Sequence, residues 1–280
     1  MSTTVPTPAR LPASAPLRLL LRTLRQQVRV EFSATLRAAE FVGGALAIPV
    51  ILYAMFGLPV ASRVLPGGAS VGAMMAVSFS AYGVVSLAIF TFGDELAKER
   101  GRGWTRTLRA TPLPEGVHLA GKTVMALGHG LLVVVAIGLV ATLVGGVRWT
   151  ALEWVRVAAV LSTGVLAFST IGFALAYLVR PRAASIVANL VFLPLSFCSG
   201  FFFPIADLPE FLQRLAPWLP TYHFGQLAWR QVGSARDVEA FVGVAPRPAS
   251  VHLTWVLGCF VVFGALAVLA ARREAVARRS

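Results

Sequence analysis

Six long stretches without a charged residue constrain this chain more than any other feature. Each runs 18 residues or more, long enough as a helix to cross a hydrocarbon core of about 30 Å. Their ranges are 41–58, 69–93, 123–147, 157–179, 183–203 and 253–271. Only 13% of the 280 residues are charged, against about 25% in soluble domains. The sequence therefore predicts an all-α integral membrane protein with six transmembrane helices.

The basic residues predict how these helices are oriented. Of the 25 Lys and Arg residues, 18 fall in segments 1–40, 94–122, 180–182 and 272–280, which lie on one side of a six-helix topology. Because positive segments stay in the cytoplasm during insertion, both termini are predicted to be cytoplasmic. The net charge of +13 is then a topology signal that favours anionic lipid headgroups, not nucleic acid, as the counter-charge.

The two ends of the chain are predicted to be cytoplasmic. Residues 1–16 resemble a flexible tail, and no small-residue cleavage site marks the first 40 residues as a removed signal. Residues 17–32 show helical periodicity, with an apolar stripe beside an arginine stripe (Leu17, Leu21, Leu24, Val28, Phe32; Arg18, Arg22, Arg25, Arg29). The pattern predicts an amphipathic interfacial helix, or alternatively a helix packed on another protein. Residues 272–280 form the second tail.

Polar residues inside the predicted spans are candidates for a translocation path. Ser78, Tyr82 and Ser86 are spaced by four and share a helical face, while His129 and Asn189 are costly to place in lipid. The alternative is that such side chains only join helices together. No predicted span contains a carboxylate, which argues against a carrier driven by an ion gradient. Cys198 and Cys259 are far apart in apolar stretches and suggest neither a disulfide framework nor a metal site.

The segment that follows the fifth span, residues 201–233, combines aromatic residues with four prolines in its first twenty residues. Pro209 and Pro217 predict the limits of one short helix. We expect it at the outer membrane interface, with Trp218, Tyr222 and Trp229 at headgroup depth. It belongs to a predicted outer loop, 204–252.

Two segments carry a family resemblance. DELAKERGRGWTRTLRATPLPEGVHLAGK, residues 94–122, resembles the inner loop of type 2 ABC exporter permeases, although it departs from the pattern at Trp104 and Thr105. CSGFFFPIADLPEFLQRLAPWLPTYHFGQLAWR, residues 198–230, is similar to the second hallmark of that family. The residues of the first segment that match are Glu99, Arg100, Gly103, Leu108, Thr111, Pro112, Leu113, Gly121 and Lys122.

The resemblance implies a half-transporter whose permease domain spans residues 17–271. Two such subunits would surround a central path, and a separate ATPase, which binds ATP and Mg, would dock on a coupling helix in the loop 94–122. The implied ATPase-coupling residues are Glu99, Arg100, Arg102, Gly103 and Arg106. The second segment supplies candidates for an outer gate, Ser199, Gly200, Pro204 and Pro209. Without the resemblance, the charges of the loop would be read as a solvated face.

The octapeptide GVHLAGKT, residues 116–123, fits the phosphate-loop pattern G-x-x-x-x-G-K-[ST]. A phosphate loop lies between a buried strand and a soluble helix, whereas this stretch follows two prolines and opens a predicted membrane span. We therefore interpret the match as coincidental and expect this chain to bind no cofactor itself.

These observations favour the permease subunit of an ATP-driven ABC exporter in a bacterial plasma membrane. A path without fixed charge suits a drug, an antibiotic or another amphipathic or lipid-linked cargo. The expected partners are an ABC ATPase, a second permease subunit in a homodimer or heterodimer, and membrane lipid. Two alternatives remain open: an intramembrane hydrolase that uses Ser199 and His129 as a dyad, and an ATP-independent carrier.

Overall fold

The computed structural model describes residues 17–37, 41–103 and 115–277. Over these ranges the chain is helical apart from turns and an isolated bridge between Val64 and Ser70, which confirms the predicted all-α membrane class. We number the helices α1 (Leu17–Arg37), α2 (Gly44–Val60), α3 (Val71–Gly101), α4 (Glu115–Leu143), α5 (Ala151–Leu178), α6 (Pro181–Phe197), α7 (Glu210–Leu215), α8 (Pro220–Trp229), α9 (Ala235–Val242) and α10 (Ala249–Ala277).

The helix limits differ from the predicted spans at informative places. Among the described residues α3, α4, α5 and α10 are long and apolar enough to cross a membrane, whereas α2 and α6 are shorter apolar helices. The predicted fifth span reaches residue 203, but α6 ends at Phe197 because the chain turns through Gly200, whose φ is +84°. The predicted second span ends at residue 93, but α3 continues to Gly101. Six membrane crossings therefore stay a prediction.

Helices α2 to α6 and α10 run alternately between two ends of the bundle. We call the end formed by residues 94–103, 115–122, 180–185 and 274 the charged end, because two ion pairs and a hydrogen bond from Ser185 to Asp94 join these segments there. The opposite end contains the loops 61–70 and 144–150 and the long connection 198–248. The predicted coupling loop, 94–122, is helical at both of its edges in α3 and α4, and residues 104–114 lie outside the described residues.

Helix α3 is the centre of the bundle. In its most apolar window 78% of the residues are buried, against 22% in α10. Helix α10 packs on α5 along one side and exposes an apolar face on the other, including Leu253, Leu257 and Val261. An open apolar face of this kind suits contact with lipid tails or with a second membrane subunit.

Helix α1 packs along α4. The side chain of Phe32 stacks on His129 with ring centroids 4.5 Å apart, and a Cβ added at Gly121 would lie 2.7 Å from Cγ of Gln27. The absence of a side chain at Gly121 thus permits α1 to approach closely. The arginine stripe of α1 is exposed on the other side (Arg18, Arg22, Arg25, Arg29). A membrane-surface position for this helix stays a prediction.

Helix α8 is a buried element of the opposite end. Trp229 is fully buried, and its Nε1 donates a 2.9 Å hydrogen bond to Oγ of Ser78 in α3. Tyr222 is 1% exposed, whereas Trp218 is 68% exposed. Tyr222 and Trp229 are therefore not anchors on the surface of this chain, and headgroup depth stays a prediction for all three side chains. The aromatic rings of Tyr222 and Trp229 fill the core instead, since α8 inserts between α3 and α10.

Asp237 fastens α9 to the loop before α3. Its carboxylate accepts hydrogen bonds from the Gly67 amide at 2.6 Å, the Ser234 hydroxyl at 2.7 Å and the Ser234 amide at 2.9 Å. Burial raises the pKa of Asp237, but these hydrogen bonds outweigh it and lower the pKa below the ordinary value of 3.8. The carboxylate therefore stabilises the fold in its ionised form.

Asp237→Asn is expected to destabilise the protein by about 1–2 kcal/mol at neutral pH, because the amide replaces one acceptor oxygen with a donor. Since folding lowers this pKa, the stabilisation is complete above pH 3.8 and is lost as the pH falls through the folded-state pKa. Thermal melts of wild type and variant at pH 7 and pH 3 check this, with the exposed Asp207→Asn as control. An equal difference between wild type and variant at both pH values would contradict it.

Candidate coupling site and adjoining cavity

Two neighbouring side chains of α3 join it to the rest of the charged end. Glu99 Oε1 lies 2.7 Å from Lys122 Nζ of α4, and the Lys122 ammonium is also 4.0 Å from Glu31 Oε2 of α1. His118 of α4 lies beside the pair, with its Nε2 3.7 Å from Glu99 Oε2. The Lys122 side chain is only 3% exposed. A buried ammonium needs such carboxylate partners because an unpaired charge there is costly.

Arg100 makes the second connection. Its Nη2 donates to Oε2 of Glu274 in α10, and its guanidinium carbon lies 4.4 Å above the ring of Tyr177 in α5. The ion pair and the cation–π contact hold a side chain that is 9% exposed. Glu99 and Arg100 together thus link α3 directly to α4, α5 and α10, and Lys122 extends the connection to α1.

The remaining coupling candidates are placed differently. Arg102 is exposed at the end of α3, and Gly103 follows in the left-handed conformation with φ +76°. Arg106 lies outside the described residues. Within this chain Glu99 and Arg100 have internal partners, and contact of any of the five residues with an ATPase stays a prediction.

Asp94 has two partners at the same end. Its Oδ2 lies 2.8 Å from Nζ of Lys98, and its Oδ1 accepts a 2.7 Å hydrogen bond from Oγ of Ser185 in α6. Asp94 and Glu95 lie in a π-helical turn, Phe90–Glu95, within α3. Turns of this kind widen the helix locally and are frequent at functional sites.

A cavity of about 370 Å³ lies between α2, α3 and α6 next to these carboxylates. It brings together three of the five predicted path residues, Tyr82, Ser86 and Asn189. Ser78 instead lies deeper in the core with its hydrogen bond from Trp229, and His129 lies against α1. A role in transport stays a prediction for all five.

Sequence reasoning missed Asp94 and Glu95 as lining residues of this cavity. The signal was present, because continuing the four-residue spacing of the serine and tyrosine face by two steps reaches Phe90 and Asp94. This continuation was overlooked because the predicted span ended at residue 93, one residue before Asp94. The pairing of Glu99 with the buried Lys122 and of Arg100 with the partly exposed Glu274 was also missed, since pairing between distant helices leaves no local pattern.

The predicted gate residues surround the turn after α6. Thr221 Oγ1 donates to the carbonyl of Leu195 at 2.7 Å, and the single proton of the Ser199 hydroxyl goes to that carbonyl or to Thr221 Oγ1, both of which lie within hydrogen-bond distance. Gly200 is the left-handed residue of the turn, while Pro204 and Pro209 precede the short helices 205–207 and α7. Ser199 and Thr221 thus both contact a carbonyl near the C-terminal end of α6, where backbone acceptors lack helical partners.

Ser199→Ala is expected to lower stability by about 1 kcal/mol, because Thr221 still serves the Leu195 carbonyl. Activity of the assembled protein should fall only partly. Thermal melting and an activity assay on the same sample check the prediction. Complete loss of activity at unchanged stability would instead support the hydrolase alternative.

The stretch GVHLAGKT lies within α4. Its residues 116–123 are helical, so their amides point along the helix and do not form a loop around a phosphate. The lysine of the motif is the buried Lys122 that pairs with Glu99. In the part of the chain that the structure describes, no group of three His, Cys, Asp or Glu residues is arranged to hold a metal ion.

Comparison with known proteins decides the family. Residues 52–269 match the sequence profile described as ABC-2 family transporter protein. This chain belongs to the ABC-2 transporter family. The match covers the bundle from α2 to α10 and confirms the family that residues 94–122 and 198–230 indicated.

Individual relatives of this ABC-2 protein agree. A Bacillus subtilis (strain 168) protein provisionally named transport permease YvfS is 26% identical over 212 residues, which are 76% of this chain and 86% of that protein. Nodulation protein J of Rhizobium leguminosarum bv. viciae is 31% identical over 185 residues, which are 64% of this chain and 70% of that protein. The chain is therefore a multi-pass membrane protein of a transport permease family.

Proposed function

We propose that this chain is the permease subunit of an ATP-driven ABC exporter, which forms the translocation path and couples it to a separate ATPase that binds ATP and Mg. One observation carries the proposal: Glu99 and Arg100 link α3 to α4, α5 and α10, and through Lys122 to α1, while Arg102 on the next turn is exposed. A displacement of the exposed turn by a bound ATPase would be transmitted to several helices at once.

The ion pairs suggest how coupling works. When ATP closes the partner ATPases, their movement displaces the segment after α3, and the two partly buried ion pairs carry that displacement to α4 and α10. The helices then tilt between inward-facing and outward-facing arrangements whose populations the nucleotide shifts. In this mechanism the charged end is cytoplasmic, two permease subunits enclose the path, and the complex lies in a bacterial plasma membrane.

The cargo we propose is an amphipathic or lipid-linked molecule. The bundle is strongly apolar, and the cavity beside α3 combines aromatic rings with hydroxyl and carboxylate groups. One relative is named a transport permease and another a nodulation protein.

An ATP-independent carrier is the second candidate, because Asp94 and Glu95 line the cavity. Carboxylates in such a position are the groups that proton-driven and sodium-driven carriers use. Uptake by inverted membrane vesicles separates the two functions. An exporter requires ATP and the ATPase, whereas a carrier works with an ion gradient after the ATPase is removed.

The direct test of the proposal is isolation of the tagged chain from its native membranes in mild detergent, followed by mass spectrometry and an assay of vanadate-sensitive ATP hydrolysis. We expect an ABC ATPase to co-elute and hydrolysis to depend on its presence. An intact, well-folded chain that is recovered without any ATPase would overturn the proposal.

A further inference from the structure

The cavity between α2, α3 and α6 has chemically distinct walls. Its aromatic wall contains Tyr82 and Phe90, whose rings lie 5.1 Å and 5.4 Å from that of Phe192. Ser86 and Asn189 supply polar groups, and the Asn189 amide donates its hydrogen bond to the Ser185 carbonyl at 2.8 Å. The Asn189 side-chain oxygen is thus available as an acceptor.

Glu95 is the one carboxylate in this region that has no hydrogen bond or ion pair among the described residues. Its neighbours at the charged end are engaged: Asp94 by Lys98 and Ser185, Glu99 by Lys122, Glu274 by Arg100, and Glu31 by Gln27. Lys122 interacts electrostatically with Glu95, but its ammonium is already in contact with Glu99. The Glu95 side chain is exposed to the cavity and can receive a partner from outside the chain.

The charge and shape of the cavity favour one class of ligand. A carboxylate beside aromatic faces attracts an organic cation, through Coulomb attraction and through the ring quadrupoles. An anion meets two carboxylates there, and the lining residues include no Lys or Arg. The volume of about 370 Å³ is at the lower end of the range for small-molecule sites, which is roughly 300–1,000 Å³.

We propose that this cavity binds amphipathic organic cations, with Glu95 as the counter-charge and Tyr82, Phe90 and Phe192 as the apolar wall. The inference rests on the proposed function, because it assigns a substrate class to the translocation path. It also replaces the expectation of a path without fixed charge, since α3 carries two carboxylates into the cavity.

Two ions of almost equal size and opposite charge test the proposal. Tetraphenylphosphonium and tetraphenylborate are offered to the purified full chain in nanodiscs, and saturable binding of each is measured by scintillation proximity. We expect the cation to bind more tightly than the anion. Glu95→Gln should weaken cation binding about fivefold or more and leave anion binding unchanged or stronger.

The matched control is Glu210→Gln, which removes a 78% exposed carboxylate at the opposite end and should leave both affinities unchanged. The melting temperature of each variant shows whether it folds. A second variant, Ser86→Phe, fills the cavity and should abolish saturable binding of the cation while the protein stays folded. Equal affinity for both ions, or an unchanged cation affinity in folded Glu95→Gln, would overturn the cation assignment. If the cation assignment fails but an ABC ATPase still co-elutes with the chain, the proposed exporter function stands. If the cavity binds cations selectively but no ATPase co-elutes, the exporter function is overturned and the cation site stands.

Discussion

Replacing Lys122 by methionine is expected to lower the melting temperature of the detergent-solubilised protein by at least about 5 °C. The Lys122 side chain is 3% exposed, and its loss removes the ammonium that contacts the Glu99 carboxylate, which is itself only 27% exposed. Breaking a buried pair from one side costs about 3–5 kcal/mol, and the partial exposure of Glu99 places this case at the lower end. ATP hydrolysis by the assembled complex should fall together with stability, because α3 and α4 lose the ion pair that joins them at the charged end.

The double variant Glu99→Gln with Lys122→Met should recover much of the stability, because it removes the stranded carboxylate as well. The control is Lys98→Met, which breaks a pair whose lysine is 46% exposed and should change the melting temperature by about 2 °C or less. Equal effects of the Lys122 and Lys98 changes would contradict the buried-pair account.

Gly172→Val is expected to be the most damaging single substitution in the bundle. A Cβ at this position would lie 2.7 Å from Cβ of Phe92 and 2.8 Å from the carbonyl oxygen of Ala88. Two of the three nearest atoms are backbone atoms of α3, so a rotamer change cannot relieve the clash. The substitution must separate α3 from α5, and its cost should exceed the usual overpacking penalty of about 1–3 kcal/mol.

The matched control is Gly258→Val on α10, where an added Cβ meets nothing within 4 Å. Both substitutions place the same β-branched residue in a helix, so their difference isolates the helix crossing. Fluorescence-detected size-exclusion chromatography of both variants after a heating series gives the measurement. A Gly172→Val protein as heat-stable as Gly258→Val would show that the crossing of α3 and α5 is looser than described.

Much of the fold could be predicted because charge-free stretches are a direct consequence of the membrane as solvent. The charge-free stretches do not determine where each helix begins and ends. Helix α3 continues past the predicted span through Glu95 and Glu99, because Glu95 lines a cavity and Glu99 is paired with Lys122. Helix α6 ends before the predicted span does, because the chain turns at Gly200. The buried position of Trp229 likewise depends on its distant partner Ser78.

The candidate site was only partly visible in the sequence. Family motifs drew attention to Glu99 and Arg100, but local pattern could not reveal that Lys122 and Glu274 are their partners, 23 and 174 residues away. From the sequence alone, a lysine at the start of a membrane helix is interpreted as an interfacial cation, and its substitution is expected to have a mild effect. In the structure it is a buried link between helices, and its substitution is expected to be severe.

Photo-crosslinking from Arg102 tests the central claim most directly. The residue is exposed at the charged end, and Val64, which is 70% exposed, serves as the control at the opposite end. A photoreactive phenylalanine analogue is placed at each position and irradiated in native membranes, and the adducts are identified by mass spectrometry. We predict an ABC ATPase adduct from position 102 and none from position 64. An ATPase adduct from position 64, or none from position 102 in a correctly inserted chain, would contradict ATPase docking at the charged end.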